Sequence, residues 1–167
     1  MTNIRRYFSP GQVYFLTHVT YKRKPILIDN ADLLKTAIYD VKTDTPFEII
    51  AFAIMPDHFH IIIDPGKSNL STIFKRIKLK FSTNYRKALT IKSGRIWQNR
   101  FWDHQIRNQD DLNAHIDYIH YNPVKHGLVN DPFVYKHSSL PEFYDQGLYG
   151  RDWGVKLDLI FEGEFGE

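Results

Sequence analysis

FEIIAFAIMPDHFHIIID, residues 47–64, is the stretch whose reading decides the fold. Residues 47–54 are apolar on both alternating faces, as expected of a central strand. Met55-Pro56-Asp57 is a short turn, and residues 58–64 read as the next strand, antiparallel to the last. Along that second strand side chains alternate between faces, so His58 and His60 project together while Phe59, Ile61 and Ile63 point the opposite way. If the apolar set packs on helices, the two imidazoles lie on the other side of the sheet.

Working outward, residues 13–20 (VYFLTHVT) are rich in β-branched and aromatic residues and read as a strand. Asp29 or Asn30 can cap a helix whose apolar positions are Leu33, Leu34, Ala37, Ile38 and Val41, and Pro46 ends that region. Downstream, Leu70, Ile73, Phe74, Ile77, Phe81, Tyr85 and Ala88 share one arc of a helical wheel. Ser93-Gly94 is expected to break this helix, and residues 95–106 (RIWQNRFWDHQI) have strand character. Asn108 can cap a third helix, with Asp110 and Asp111 in its first turn and Leu112, Ile116 and Ile119 as its inner stripe. The order β-α-β-β-α-β plus a helix specifies an α+β, ferredoxin-like (RRM-like) split βαβ with an antiparallel sheet. Helices are expected on one sheet face, with the other partly open. A single domain is expected over residues 1–150. Residues 140–167 carry seven acids and two bases, and 151–167 read as an acidic, partly flexible tail.

Composition narrows the function. Apolar residues make up 43% and aromatics 15% of 167 residues, which excludes a disordered chain. No run of 18 apolar residues is present and the start, MTNIRRYFSPG, lacks the apolar core of a secretory signal, so no membrane span and a cytoplasmic location are expected. The absence of cysteine excludes disulfides, zinc-thiolate sites and thiol catalysis. Net charge is only +3, but residues 65–102 hold ten Lys and Arg with no Asp or Glu, leaving −7 on the rest. Such segregation fits a phosphate-backbone footprint, because neutralised phosphates release counterions. Lys75, Arg76, Lys78, Lys80 and Arg100 are the expected phosphate contacts, with Trp97 and Trp102 stacking on unpaired bases or serving as core.

His58 and His60 alone are a weak metal signal, since eight histidines supply roughly 0.4 such pairs by chance in this length. Context comes from the third helix. Tyr118 and Asn122 are i and i+4 on one face, and Tyr118 lies off the apolar stripe, so it need not be core. A phenol with a pKa of about 10 needs activation to act as a nucleophile. A divalent metal, Mg²⁺ or Mn²⁺, on His58 and His60 would help by polarising a phosphate. Asn122 precedes Pro123, so it can be an oxygen ligand to that metal, the cap of a short helix starting at Pro123, or both.

Three segments, MPDHFHIIID at 55–64, IWQNRFWDHQIR at 96–107 and HIDYIHYNPVKHGLV at 115–129, resemble the REP-associated tyrosine transposases, relatives of the single-tyrosine HUH transposases. HSSLPEFYDQGLYGRDWG at 137–154 also fits, so the resemblance covers most of the chain. It implies that His58 and His60 bind the metal, that Asn122 completes the site, and that Tyr118 cuts single-stranded DNA through a 5′-phosphotyrosine. It also implies short palindromic hairpins as substrate. Tyr118 is preferred to Tyr121 both by this motif and by helical phase. The expected partner is single-stranded or hairpin DNA, and the expected assembly a monomer or weak dimer. Two other readings stand beside this one: a non-catalytic RRM-like module that binds single strands, and an HUH replication initiator or relaxase.

Overall fold

A computed structural model describes residues 12–155 and 158–167. Four strands, β1 (Tyr14–Val19), β2 (Glu48–Ile54), β3 (His58–Asp64) and β4 (Trp102–Gln105), form one sheet in the order β2-β3-β1-β4. All three pairings are antiparallel, which is the split βαβ arrangement. β2 and β3 pair across the turn at 55–57, closed by the Met55 amide donating to the His58 carbonyl at 2.8 Å. Among the described residues no helix is long and apolar enough to cross a membrane.

Helices α1 (Ala31–Asp44) and α2 (Leu70–Leu89) lie on one face. Phe59, Ile61 and Ile63 from β3 meet Leu34 and Ile38 of α1 and Ile73, Phe74, Ile77 and Phe81 of α2 in one continuous core. Asn69 caps α2 by accepting from the Thr72 amide at 3.0 Å. Asn30 stands at the start of α1, but its side chain donates back to the Ile26 carbonyl instead of capping.

Three expectations change. First, α2 ends at Leu89, before Ser93-Gly94, because Thr90 takes the left-handed conformation (φ 54°) and closes the last turn. Second, only Trp102–Gln105 of the stretch 95–106 is strand. Residues 96–98 hold β1's end through the Tyr21 amide to the Ile96 carbonyl and the Gln98 amide to the Val19 carbonyl, with one isolated bridge at Trp97. Third, the other sheet face is covered. Helix α3 (Gln109–Lys125), helix α4 (Leu140–Asp145) and residues 161 and 165 pack there on Phe15, Ala51, Ala53 and Ile62 in a second core. Asn108 caps α3 as its sequence implies, accepting from the Asp111 amide at 2.8 Å.

Candidate active site

His58 and His60 leave β3 on the α3 face and are 1% and 0% exposed. Each imidazole has its Nδ1 engaged. His58 Nδ1 lies 2.7 Å from Asp57 Oδ1, a carboxylate oxygen that only accepts. Thr17 Oγ1 gives its one hydrogen to the Phe165 carbonyl at 2.7 Å, so toward His60 Nδ1, at 2.8 Å, it accepts. These partners favour hydrogen on Nδ1 of both rings, the tautomer of a metal-ligating histidine with its supporting partner, and turn Nε2 inward. Burial pulls His60 down to about 4, against an opposing pull from Glu167, so the ring is neutral at neutral pH.

Helix α3 supplies the rest. Tyr118, Asn122 and Lys125 lie at i, i+4 and i+7, one stripe of a helix with 100° per residue. Tyr118 is 1% exposed, so it is buried despite lying off the apolar stripe. The cause is the end of the chain: Phe165 stacks on the phenol at 3.7 Å between centroids, and Phe161 meets it edge-on. Asn122 sits inside α3, whose hydrogen bonding continues past Pro123 with the His126 amide donating to the Asn122 carbonyl at 3.0 Å. It is thus not the cap of a new helix. Its Oδ1 and His58 Nε2 are buried without hydrogen-bond partners, an expensive state for polar atoms.

Glu167 occupies the centre of this arrangement. Its Oε1 lies 2.6 Å from Asn122 Nδ2, 3.0 Å from His60 Nε2, 3.2 Å from His126 Nε2 and 3.7 Å from His58 Nε2. Its Oε2 accepts from Lys125 Nζ at 2.6 Å. Burial resists the charge, but His126, His58, His60 and Lys125 outweigh it and hold this carboxyl well below the usual carboxylate range. Burial, followed by Glu167, pushes the Tyr118 phenol above its ordinary value. The two inward imidazole nitrogens and the orphaned Asn122 amide oxygen make a donor set that could hold a divalent metal ion in place of the Glu167 carboxylate beside them. The residues fit the cation that the sequence motif implies.

Sequence reasoning did not single out Lys125, His126 or Glu167. Contacts between residues 58–60 and 167 span over a hundred positions and leave no periodic trace. Tyr121 is 4% exposed and packs on Trp153 and Phe161, away from this centre.

The basic residues divide. Arg76 pairs with Asp44 at 2.8 Å and Lys80 with Asp40 at 2.6 Å, so both turn toward α1. Lys75 and Lys78 instead line a cleft of about 460 Å³ with Arg86, Arg95, Trp97 and Phe101. Lys78 stands over the Trp97 and Phe101 rings, and burial lowers it to about 8. Trp97 itself is 7% exposed and belongs to the α1–α2 core, whereas Trp102 is 37% exposed beside the chain end. Arg100 is exposed on the approach to β4.

Comparison with known proteins adds to this geometry. The family profile described as "Transposase IS200 like" matches residues 11–122. A REP-associated tyrosine transposase of Escherichia coli (strain K12) is 38% identical, with 98% of each chain covered. A Haemophilus influenzae protein is 36% identical over 98% of this chain and 99% of its own. A solved structure of a REP-associated tyrosine transposase bound to a REP hairpin superposes with TM-score 0.81 at 36% identity, covering 100% of this chain and 98% of that one.

Proposed function

The chain belongs to the IS200-like transposases and is a tyrosine transposase of the REP-associated kind; from that premise we propose that it cuts and rejoins single-stranded DNA at short hairpins through a phosphotyrosine on Tyr118. The observation that carries this reading is the convergence of two imidazole Nε2 atoms, the Asn122 amide and the Tyr118 stripe on the spot that the Glu167 carboxylate fills. A carboxylate seated there, one oxygen against the Asn122 amide and the imidazoles and the other on the Lys125 ammonium, stands where the anionic oxygens of a phosphodiester would lie.

His58, His60 and Asn122 would hold Mg²⁺ or Mn²⁺, which when bound withdraws electron density from the scissile phosphate. Asp57 and Thr17 fix the two imidazole tautomers and so keep Nε2 directed at the site. Tyr118 attacks phosphorus, the phenol hydrogen is lost to solvent, and the departing 3′-oxygen takes up a proton. A 3′-hydroxyl attacking the phosphotyrosine reverses these bonds, so strands are rejoined without an added energy source. Phe161 and Phe165 exclude water from the phenol while the tail is docked, and the carboxylate must leave before a phosphate enters. Lys75, Lys78 and Arg100 contact backbone phosphates, with Trp102 flanking unpaired bases while Trp97 stays in the α1–α2 core; Arg76 and Lys80 would join them only by exchanging their α1 partners. A cytoplasmic location and a chain active as a monomer or weak dimer accompany this reading.

Incubation with a hairpin-bearing single strand and Mn²⁺ or Mg²⁺ should yield an SDS-stable protein–DNA adduct, absent in Tyr118→Phe. Tight hairpin binding with no adduct from the wild-type protein would instead favour the RRM-like binding module.

A further inference from the structure

We propose that Lys125 is a second catalytic residue on α3: its ammonium grips the Tyr118 phenol oxygen and stabilises the charge that builds there as the tyrosine attacks. This inference rests on the phosphotyrosine reading above. Lys125 Nζ lies 3.0 Å from Tyr118 Oη and 4.8 Å from the centre of its ring. The two residues are seven positions apart, so a straight helix returns Lys125 to within about 20° of Tyr118. Around the phenol stand the rings of Phe15, His60, Phe161 and Phe165, and Glu167 and Asn122 also bond to it. A cationic donor directed at the reacting oxygen in a partly buried site acts more strongly than it would in water.

The bond changes require no proton from the lysine. The phenolic O–H breaks, Tyr118 Oη bonds to phosphorus, and the P–O3′ bond breaks with its electron pair going to the 3′-oxygen. One proton leaves the phenol for solvent and one is taken up by the 3′-oxygen, while Lys125 stays an ammonium throughout. A lysine suits this task because three rotatable donors on a flexible stem can follow the oxygen as it moves. One donor already serves Glu167 Oε2 at 2.6 Å, and a non-bridging phosphate oxygen entering the same place would accept it in turn.

Lys125 also stands in the last turn of α3, where a cation favours the helix dipole. That role would leave the chemistry of bound DNA untouched, which makes the two separable. Because Lys125 also pairs with Glu167, the decisive comparison uses the full chain carrying Glu167→Ala, with and without Lys125→Met or Lys125→Gln. At saturating hairpin strand and Mn²⁺, either second change should slow single-turnover adduct formation by about 30-fold. Hairpin affinity should hold within about twofold, and Lys125→Arg should restore most of the rate. A substrate with sulfur in place of the bridging 3′-oxygen, a better leaving group, should not rescue the loss, because the lysine serves the nucleophile. The Lys125 side chain is 44% exposed, so the variants should fold, and a thermal melt checks this. An unchanged rate at saturation, or a loss that saturating DNA abolishes, would overturn the inference. Absence of any adduct in the Glu167→Ala parent and in wild type would sink the phosphotyrosine reading itself.

Discussion

The two faces of the sheet are built on different principles. Toward α1 and α2, β3 presents Phe59, Ile61 and Ile63 to an almost wholly apolar core, with His18 stacked between Phe59 and Phe74 as its one buried histidine among the described residues. Toward α3, the same strand presents His58 and His60, joined by buried Thr17, Asn113, His115, His120, Asn122 and Ser139. Buried polar atoms lower stability unless partnered; His58 Nε2 and Asn122 Oδ1 have no partner on this face, and the His18 ring nitrogens and Trp97 Nε1 have none on the other. The first face is organised to stabilise the fold. The second gathers polar side chains and directs their donors toward one point.

The sharpest way to break this contrast is to change neighbours on one strand. His60→Gln should abolish metal-dependent cutting, a loss of at least about 100-fold, while lowering stability by about 1 kcal/mol or less. Phe59→Ala should do the opposite, costing about 3–5 kcal/mol while the folded fraction still cuts. Denaturant melts and adduct yields measured on both variants read this directly. Equal stability losses at 59 and 60, or normal cutting by His60→Gln, would erase the distinction between the faces.

A smaller effect is expected at the chain end. Glu167→Ala should raise cutting about tenfold at limiting Mn²⁺, since the fraction of molecules with an accessible site scales the apparent affinity. An unchanged metal dependence would mean that the carboxylate does not compete for the site.

The smallest effect belongs to the α2 cleft. Lys78 has its pKa lowered to about 8 by burial, with Lys75, Arg86 and Arg95 lining the same cleft and His18 nearby. Its folded value lies below the unfolded one, so the unfolded chain binds more protons between pH 8 and about 10.5 and stability rises across that window. DNA binding runs the other way, because phosphates need the charged form. Hairpin affinity should therefore fall several-fold from pH 7.5 to 9.5, and Lys78→Met should flatten this dependence in a binding titration. A wild-type affinity insensitive to pH would remove Lys78 from the interface.

Local patterns were the legible part of this molecule. The alternation of HFHIIID placed β3 and the facing of its histidines, and the Asn108 cap and helical phase placed Tyr118 with Asn122. Charge was half legible. Ten uncompensated cations read as one footprint, yet Arg76 and Lys80 answer Asp44 and Asp40 across the α1–α2 groove. Both pairs are spaced i, i+4, a matching that could have been noticed. The covering of Tyr118 was not legible, because it depends on Phe161, Phe165 and Glu167 returning from distant positions to the sheet. The short β4 escaped for a related reason: residues 96–98 satisfy their backbone groups on the end of β1 without continuing the ladder.

The central claim is that this buried polar face exists to place one phenol beside a metal-held phosphate. Mass spectrometry on the peptide carrying covalently bound DNA, after incubation with a hairpin strand and Mn²⁺, tests it most directly. The account predicts a 5′-phosphate on Tyr118 and none on Tyr121. A modification on Tyr121, or no modified tyrosine from protein that binds the hairpin in the presence of Mn²⁺, would contradict it.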